Sequence, residues 1–216
     1  MTAAPPIRFI AFDLDGTILR GRSVCEVLAE ALGYGPRMAV LEQAQGRIAL
    51  SLAREEVAGW FDGQPASRLS EALQRCALAP GTLEAFAWLR ERQVRTAIAS
   101  LTWGFAVRHF AEYLGANWWL GTGLDALGHI DHVWPEDKAT WVTGLAREQR
   151  LSRHHLAAVG DSSTDFPMLR SVGHPAFVGS EAPSDLNRGQ SPRTPGLPAI
   201  HMPHGDLYQL VRKLFD

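Results

Sequence analysis

The sequence predicts an α/β fold, a doubly wound parallel sheet covered by helices, with an all-helical segment inserted after the first strand. Two observations support this prediction. Short, almost continuously apolar runs alternate with stretches of helical periodicity, which is typical of βαβ units. Residues 20–81 interrupt that alternation, because only helical patterns occur in them. A chain of 216 residues with 46% hydrophobic content is long enough for one core and a small insert.

The predicted strands are apolar on both faces, as in a sheet covered by helices on either side. The first spans residues 7–12 and is bounded by Pro6 and Asp13. Further candidates are residues 95–100, 156–161 and 175–180. Open parallel sheets bind ligands at the carboxyl ends of their strands. The residues that directly follow these runs are therefore the candidates for a functional site.

Helical patterns separate the predicted strands. Apolar residues recur three and four positions apart around residues 83–94, 105–114 and 141–146. Gly115 is expected to end the second of these helices. Residues 206–215 predict a closing helix, whereas residues 181–205 contain five prolines and predict a surface loop.

The inserted segment is predicted to begin with a capped helix. Ser23 and Glu26 have the spacing of a capping box, and Gly33 is placed to end the helix. No strand pattern is found between residues 20 and 81, so the segment is expected to be all-helical.

Two more helices are expected in this segment. Pro36 can start the second, whose apolar face is predicted to continue through Ala44 and Ile48 to Phe61, and a third is expected around residues 69–76. Because the segment follows the carboxyl end of the first strand, it is expected to cover a site there as a lid. The predicted units are a core of residues 1–19 and 82–216 and a cap of residues 20–81.

Composition and charge exclude several classes of partner. The formal net charge is −2 and no long basic run occurs, so neither nucleic acid nor an anionic membrane is expected as a partner. No apolar run approaches the length of a membrane span, and the first residues do not resemble a signal peptide. Cys25 and Cys76 are expected to be reduced thiols in a cytoplasmic protein, which could be a monomer or a homodimer.

Two pairs of acids follow predicted strands. Asp13 and Asp15 come after the first strand, and Asp161 and Asp165 come after the run at 156–161. Because parallel strands end at the same edge of a sheet, these acids are expected in one pocket. Several carboxylates in one pocket need a cation, and oxygen ligands of this kind suit Mg²⁺.

Two structural alternatives explain the first acidic pair less well. Asp15 and Gly16 could form a tight hairpin turn, but the following residues lead into a helix cap and not into a partner strand. A calcium loop starting at Asp13 would need glycine at its sixth position and glutamate at its twelfth. The chain has Ile18 and Val24 there.

Two further polar residues complete a pattern. Ser100 ends the second predicted strand, and Lys138 precedes a helix, where an ammonium can balance a carboxylate and a phosphate oxygen. In the order D-x-D-G-T, Ser, Lys, G-D-x-x-x-D, the chain resembles the haloacid dehalogenase (HAD) superfamily of phosphohydrolases. The resemblance is greatest to its phosphoserine phosphatase-like branch. It covers nearly the whole chain, including the position of the helical cap and a Rossmann-like core.

The resemblance implies a Mg²⁺-dependent phosphatase that acts on a small phosphorylated metabolite through an aspartyl-phosphate. Asp13 would be the nucleophile, since an aspartate of ordinary pKa is ionised at pH 7 and needs no activating base. Asp15 would protonate the leaving alcohol and then take a proton from the attacking water. Ser100, Lys138 and main-chain N–H groups near Gly16 would hold the phosphoryl oxygens.

The resemblance also implies the metal ligands. They are the carboxylate of Asp13, the main-chain carbonyl of Asp15 and the carboxylate of Asp161. Asp165 would orient ligand waters or Lys138.

The chain departs from this branch at two places. Arg22 stands where phosphoserine phosphatases have a cap glutamate that meets the substrate ammonium, so it is expected to favour a carboxylate or a second phosphate. Leu101 and Thr102 replace the glycines of the Ser-Gly-Gly-Phe motif, so a reshaped or narrower substrate pocket is expected. Arg47 and Arg54 in the cap are further candidates for binding an anionic tail.

Other functions remain open from the sequence. The same intermediate could pass its phosphoryl group to a second alcohol, which would make the protein a phosphotransferase or a mutase. A non-catalytic receiver-like module also uses acids, a hydroxyl and a lysine at strand ends, but it has no helical cap. Dehalogenases of the superfamily do not need both Asp161 and Asp165.

Overall fold

The computed structural model describes residues 7–43, 46–180 and 200–216. The strands, numbered in chain order, are β1 (Phe9–Phe12), β2 (Leu19–Arg20), β3 (Ala77–Leu78), β4 (Arg95–Trp103), β5 (Trp118–Leu124), β6 (Ile130–Asp131), β7 (Leu156–Gly160), β8 (His174–Phe177) and β9 (Ile200–His201). The helices are α1 (Val24–Leu32), α2 (Gly35–Leu41), α3 (Arg47–Phe61), α4 (Ala66–Leu73), α5 (Thr82–Glu91), α6 (Gly104–Leu114), α7 (Pro135–Glu148), α8 (Phe166–Ser171) and α9 (Leu207–Phe215).

Seven strands form one sheet in the order β6-β5-β4-β1-β7-β8-β9. Neighbouring strands are parallel, except that β5 and β6 are antiparallel. The chain winds outward from β1 in both directions, through β4 to β5 on one side and through β7 to β8 on the other. This reversal at β1 is the switch point of a doubly wound sheet, so the predicted α/β fold class is confirmed.

The register of the central strands brings their carboxyl ends side by side. Phe12, the last residue of β1, lies opposite Ile98 in β4 and Val159 in β7. The amide of Asp13 then donates a hydrogen bond of 2.9 Å to the Val159 carbonyl. The residues that follow β1 and β7 therefore meet at one edge of the sheet.

Helices bury both faces of the sheet. Ile10 and Phe12 of β1 pack in an apolar cluster with residues of α5, α6 and α9. Phe9 and Ala11 point to the other face, where they pack with residues of α7 and α8, Val142 among them. This two-sided burial explains why β1 is an unbroken apolar run.

The observed strands differ from the predicted ones mainly at their ends. The strands β1 and β7 lie within the predicted runs 7–12 and 156–161, and β8 covers only the first part of 175–180. The strand β4 continues to Trp103, beyond the predicted end at residue 100, with a register shift against β5 between Ala99 and Trp103. Ser100 therefore lies within this strand and not at its end, where it was predicted.

The inserted segment begins as predicted. The Ser23 hydroxyl accepts the Glu26 amide at 3.1 Å, and the Glu26 carboxylate accepts the Ser23 amide at 2.7 Å, which completes the capping box of α1. Gly33 ends α1 in the left-handed conformation, with a φ of 88°. At the root of the segment, β2 and β3 form a short antiparallel ribbon that the sequence did not predict. Strands of two residues are too short to show an alternating pattern.

The prediction of one continuous apolar face from α2 into α3 was wrong. Gly46 precedes α3 with a φ of 82°, and Ile48 in its first turn is 82% exposed. Ala44, which was predicted to share that face, lies outside the described residues. The third predicted helix is α4, which begins earlier than expected and ends at Leu73.

Besides β2 and β3, three further strands lie where no strand was predicted, namely β5, β6 and β9. The last of them corrects the predicted loop at residues 181–205, because Ile200 and His201 extend the sheet beside β8. The rest of that prediction, residues 181–199, falls outside the described residues. The closing helix is confirmed as α9. Among the described residues, no helix has the length and apolar character that a membrane span requires.

Candidate active site

Lys138 joins two acids that come from different strand ends. Its Nζ donates a hydrogen bond of 2.6 Å to Oδ1 of Asp13 and another of 2.7 Å to Oδ1 of Asp165. All three side chains are buried. A buried ammonium is tolerated when it is paired and hydrogen-bonded in this way.

The loop after β7 orients the second acidic pair. Oδ2 of Asp165 accepts the amides of Asp161 at 3.0 Å and of Ser162 at 3.1 Å, so this carboxylate is held on both oxygens. Asp161 is half-buried, and its Oδ1 accepts the Thr17 hydroxyl at 3.1 Å. Asp165 is therefore the anchor of the loop, and Asp161 is the acid that it presents to the site.

Three carboxylates converge at this edge of the sheet. One oxygen each of Asp13, Asp161 and Asp165 lies within 4.8 Å of the others. Lys138 balances only one of the three negative charges. The donor set of clustered carboxylate oxygens fits a hard divalent cation such as Mg²⁺.

Gly16 supports this fit, because it leaves space for the Asp161 carboxylate. A Cβ at this position would lie 2.2 Å from Oδ2 of Asp161, and its φ of 83° favours glycine. The D-x-D-G loop therefore needs its glycine so that the acids of the two strand ends can approach each other.

Burial and mutual repulsion change the ionisation of these groups. Burial, and then the negative charge of Asp165, raise the pKa of Asp13 well above its usual value. The same two causes raise the pKa of Asp161. Burial opposes the charge of Lys138, but Asp13 and Asp165 together raise its pKa. A cation among the acids would relieve the repulsion that holds protons on them.

Asp15 points away from this cluster and towards the cap. Its Oδ1 accepts the amide of Val24, the first residue of α1, at 2.7 Å. Burial raises the pKa of Asp15 to about 6, although the hydrogen bond from Val24 opposes the shift. A carboxyl group with this pKa is available in both protonation states near neutral pH.

Ser100, Leu101 and Thr102 follow one another near the end of β4. Ser100 is buried, and its hydroxyl accepts the amide of Thr102 at 3.3 Å. Among the described residues, no hydrogen bond joins Ser100 to Asp13 or Lys138. Leu101 and Thr102 line a cavity of about 230 Å³ between the cap and the strand ends, and Asp15 lines it as well.

Arg22 is not in the wall of this cavity. It forms an ion pair with Glu30 of α1, and both side chains are more than half exposed. Its charge is therefore balanced on the outer surface of α1. The structure gives no support to its predicted role in selecting a substrate anion.

The cap arginines also bind protein groups. Arg54 is buried in α3, and its guanidinium donates to the carbonyls of Leu101 at 2.7 Å and Val133 at 3.1 Å. Arg47 pairs with Glu136 on the surface at 2.8 Å. Arg54 therefore connects α3 of the inserted segment to residues near the end of β4 and just before α7.

Several features of the site have no signal in the sequence. The guanidinium of Arg20 in β2 donates to the carbonyl of Gly16, and its Nε and the second terminal nitrogen are buried without a partner among the described residues. Met38 and Val57 line the cavity from α2 and α3. Their sequence positions look like ordinary apolar faces, so only the packing of the cap on the core distinguishes them.

Two curated proteins are similar to this chain in sequence. A phosphoserine phosphatase of Archaeoglobus fulgidus is 28% identical over 192 residues, which are 84% of this chain and 56% of the relative. A phosphoserine phosphatase of Haemophilus influenzae is 25% identical over 177 residues, 76% of this chain and 55% of the relative. The chain therefore spans about half the length of the curated relatives that it matches.

Solved structures share the fold. One described as a phospho-aspartyl intermediate analogue of phosphoserine phosphatase has a TM-score of 0.75 and 18% identity, with coverage of 98% of this chain and 100% of the other. A protein of unknown function from Bordetella pertussis has a TM-score of 0.72 and 17% identity, with coverage of 93% and 100%. The family model described as haloacid dehalogenase-like hydrolase matches residues 10–170, the part of the chain that holds both acidic pairs and Lys138. This chain belongs to the haloacid dehalogenase-like hydrolase family.

Proposed function

We propose that this protein is a Mg²⁺-dependent phosphatase that hydrolyses the phosphate monoester of a small metabolite through an aspartyl-phosphate on Asp13. One observation carries the proposal: the buried carboxylate of Asp13 lies within 4.8 Å of Asp161 and Asp165 and binds Lys138. The curated relatives are named phosphoserine phosphatases, and one structural neighbour is described as a phospho-aspartyl intermediate analogue. Both support this reaction class.

The first half of the reaction uses Asp13 and Asp15. Lys138 holds Oδ1 of Asp13, which leaves Oδ2 to attack phosphorus. The bond between phosphorus and the leaving oxygen breaks, and Asp15 gives its proton to that oxygen. In the second half, Asp15 takes a proton from water and the water attacks phosphorus. The bond between phosphorus and Oδ2 of Asp13 breaks, which releases phosphate and restores the Asp13 carboxylate. The pKa of Asp15 of about 6 suits both steps.

The remaining residues hold the reacting groups. Asp13 and Asp161, with the main-chain carbonyl of Asp15, would bind Mg²⁺, which would offset the repulsion between Asp13 and a phosphate dianion. Asp165 holds Lys138 and the loop that carries Asp161. Lys138, Ser100 and amides near Gly16 would bind the phosphoryl oxygens.

We also propose that residues 20–81 act as the cap and that residues 1–19 and 82–216 form the core. Support comes from Arg54, which binds α3 to the carbonyls of Leu101 and Val133 in the proposed core. In this arrangement the cap excludes water from the phosphoryl group before Asp13 attacks.

The test is release of phosphate from an aryl phosphate by the purified protein with and without Mg²⁺. We expect activity only with the metal, and we expect Asp13→Asn to lower kcat at least about a thousandfold with the fold intact by circular dichroism. Asp62→Asn, a change at an exposed position, is the control and should keep full activity. An Asp13→Asn variant that is as active as the parent would exclude Asp13 as the nucleophile. Adding an acceptor alcohol separates hydrolysis from transfer, because transfer yields a new phosphate ester.

A further inference from the structure

We propose that the alcohol part of the substrate is an apolar alkyl or aryl group without an anionic tail, and that it fills the cavity between cap and core beside Asp15. The proposal rests on the proposed function, because the leaving alcohol is placed by the residue that protonates it. It goes further by naming the class of alcohol.

The position of the cavity fixes which part of the substrate enters it. Asp15 lines the cavity together with Leu101 and Thr102, which directly follow Ser100. A general acid must lie within hydrogen-bonding distance of the oxygen that it protonates. The leaving oxygen is therefore at Asp15, and the carbon body attached to it extends into the cavity and away from the acid cluster.

The cavity wall is mainly apolar. The cap contributes Met38, Leu50 and Val57, and β4 contributes Leu101 and Trp103. Burial also raises the pKa of the lining Cys25 to about 12, so its thiol is neutral at physiological pH. A carboxylate on the alcohol, like that of serine, would lose its hydration against these side chains.

The charged groups of the wall also disfavour an anionic tail. Arg54 is the one cation that lines the cavity among the described residues, and its terminal nitrogens already bind the carbonyls of Leu101 and Val133 and Nδ1 of His132. Glu42 lines the cavity from an exposed position and accepts the Ser23 hydroxyl at 2.8 Å. Its negative charge would repel a carboxylate or a second phosphate.

The size of the cavity sets the size of the group. A volume of about 230 Å³ exceeds the roughly 150 Å³ of an apolar protein cavity that binds benzene. An alkyl chain or a substituted ring of roughly six to ten heavy atoms would fit on this scale. Each methylene buried there should raise kcat/KM about fourfold, the factor that corresponds to about 0.8 kcal/mol.

The experiment compares ethyl, butyl and hexyl phosphate with phosphoserine, using the protein with Mg²⁺. Turnover of each ester is measured as kcat/KM, and binding of ethyl and hexyl phosphate to the Asp13→Asn variant is measured by calorimetry. Two changes on the same helix provide a matched pair. Leu50→Gln places an amide in the cavity wall, whereas Leu52→Gln alters a side chain that is 60% exposed and outside that wall.

We expect kcat/KM to increase with chain length and hexyl phosphate to exceed phosphoserine by more than tenfold. Leu50→Gln should reduce the ratio of hexyl to ethyl phosphate at least fivefold, and Leu52→Gln should leave it unchanged. Equal or better turnover of phosphoserine, or a ratio that Leu50→Gln does not change, would overturn the proposal.

The calorimetry separates this proposal from the proposed function. If no ester is hydrolysed but hexyl phosphate binds more tightly than ethyl phosphate, the phosphatase assignment fails and the apolar site stands. If the two esters bind equally, or neither binds, the apolar site is excluded whatever the activity.

Discussion

Lys138 and Asp13 form a buried ion pair, with 2.6 Å between Nζ and Oδ1, although 125 residues separate them in the chain. Lys138 also binds Asp165, so a single ammonium connects the carboxyl ends of β1 and β7 through the start of α7. Removing one partner of a buried pair leaves an uncompensated charge, which costs more than the pair itself contributes. The ion pair therefore makes the site and the stability of the fold depend on the same three residues.

Replacing the ammonium should harm both activity and stability. We expect Lys138→Met to lower kcat at least about a hundredfold and the free energy of unfolding by about 3 kcal/mol at pH 7, because three carboxylates then share the site without their cation. Stability is measured by urea unfolding of the metal-free protein. The control is Lys213→Met on the exposed side of α9, which should change neither quantity. A Lys138→Met variant with parental stability would show that the ion pairs of Lys138 do not stabilise the fold.

The stabilising effect of Mg²⁺ should increase with pH. Folding raises the pKa values of Asp13, Asp15 and Asp161, and that of Asp15 reaches about 6. At mildly acidic pH the folded protein therefore holds protons that the unfolded chain has lost. For acids with raised pKa values this stabilisation is present below about pH 4 and is lost as pH rises through the folded values. We expect the melting temperature of the metal-free protein to fall between pH 4.5 and 7. The increase in melting temperature that Mg²⁺ produces should grow over the same range, because protons cease to compete with the metal.

Asp161→Asn is the control for this pH series, because it removes a proposed metal ligand and keeps the shape of the side chain. We expect little or no Mg²⁺-dependent increase in its melting temperature. In the parent protein, a Mg²⁺-induced increase in melting temperature that is as large at pH 5 as at pH 7 would contradict a metal site made of these acids.

Gly16 and Gly21 have similar backbone conformations but different surroundings. Their alanine variants therefore distinguish the effect of backbone strain from that of a steric clash. Gly16 has a φ of 83° and a Cβ there would lie 2.2 Å from the Asp161 carboxylate, whereas Gly21 has a φ of 81° and open space around it. Each alanine variant incurs the cost of the left-handed conformation, about 1–2 kcal/mol. We expect only Gly16→Ala also to weaken the Mg²⁺-induced increase in melting temperature, because it displaces Asp161. If both variants respond to Mg²⁺ like the parent, Asp161 does not hold the metal.

Arg54 should control how firmly the cap is attached. Arg54→Met removes hydrogen bonds to two core carbonyls, which costs roughly 1–3 kcal/mol when such groups stay buried. We expect faster amide hydrogen exchange in α3 and a lower melting temperature. Arg47→Met, which removes an exposed pair with Glu136 from the same helix, should have much less effect. Equal exchange rates in the two variants would show that the apolar contacts of the cap are sufficient to hold it.

The sequence by itself determined the sheet centre and the positions of the acids. The runs at β1, β4 and β7 are apolar because both faces of the sheet are covered, and this pattern is local in the chain. Parallel pairing then places Asp13 beside Val159, so acids that follow the two runs must meet. The capping box of Ser23 and Glu26 was predictable for the same reason, since its contacts span three residues.

Only the tertiary structure decided where the longer-range contacts fall. The ribbon of β2 and β3 and the edge strand β9 are two residues long, which is too short for a periodic signal. Arg22 and Arg54 look alike in the sequence, yet one pairs with Glu30 on the surface and the other binds core carbonyls under the cap. The apolar cavity likewise depends on how α2 and α3 pack over β4, because burial of a side chain is set by its neighbours in space and not by its neighbours in the chain.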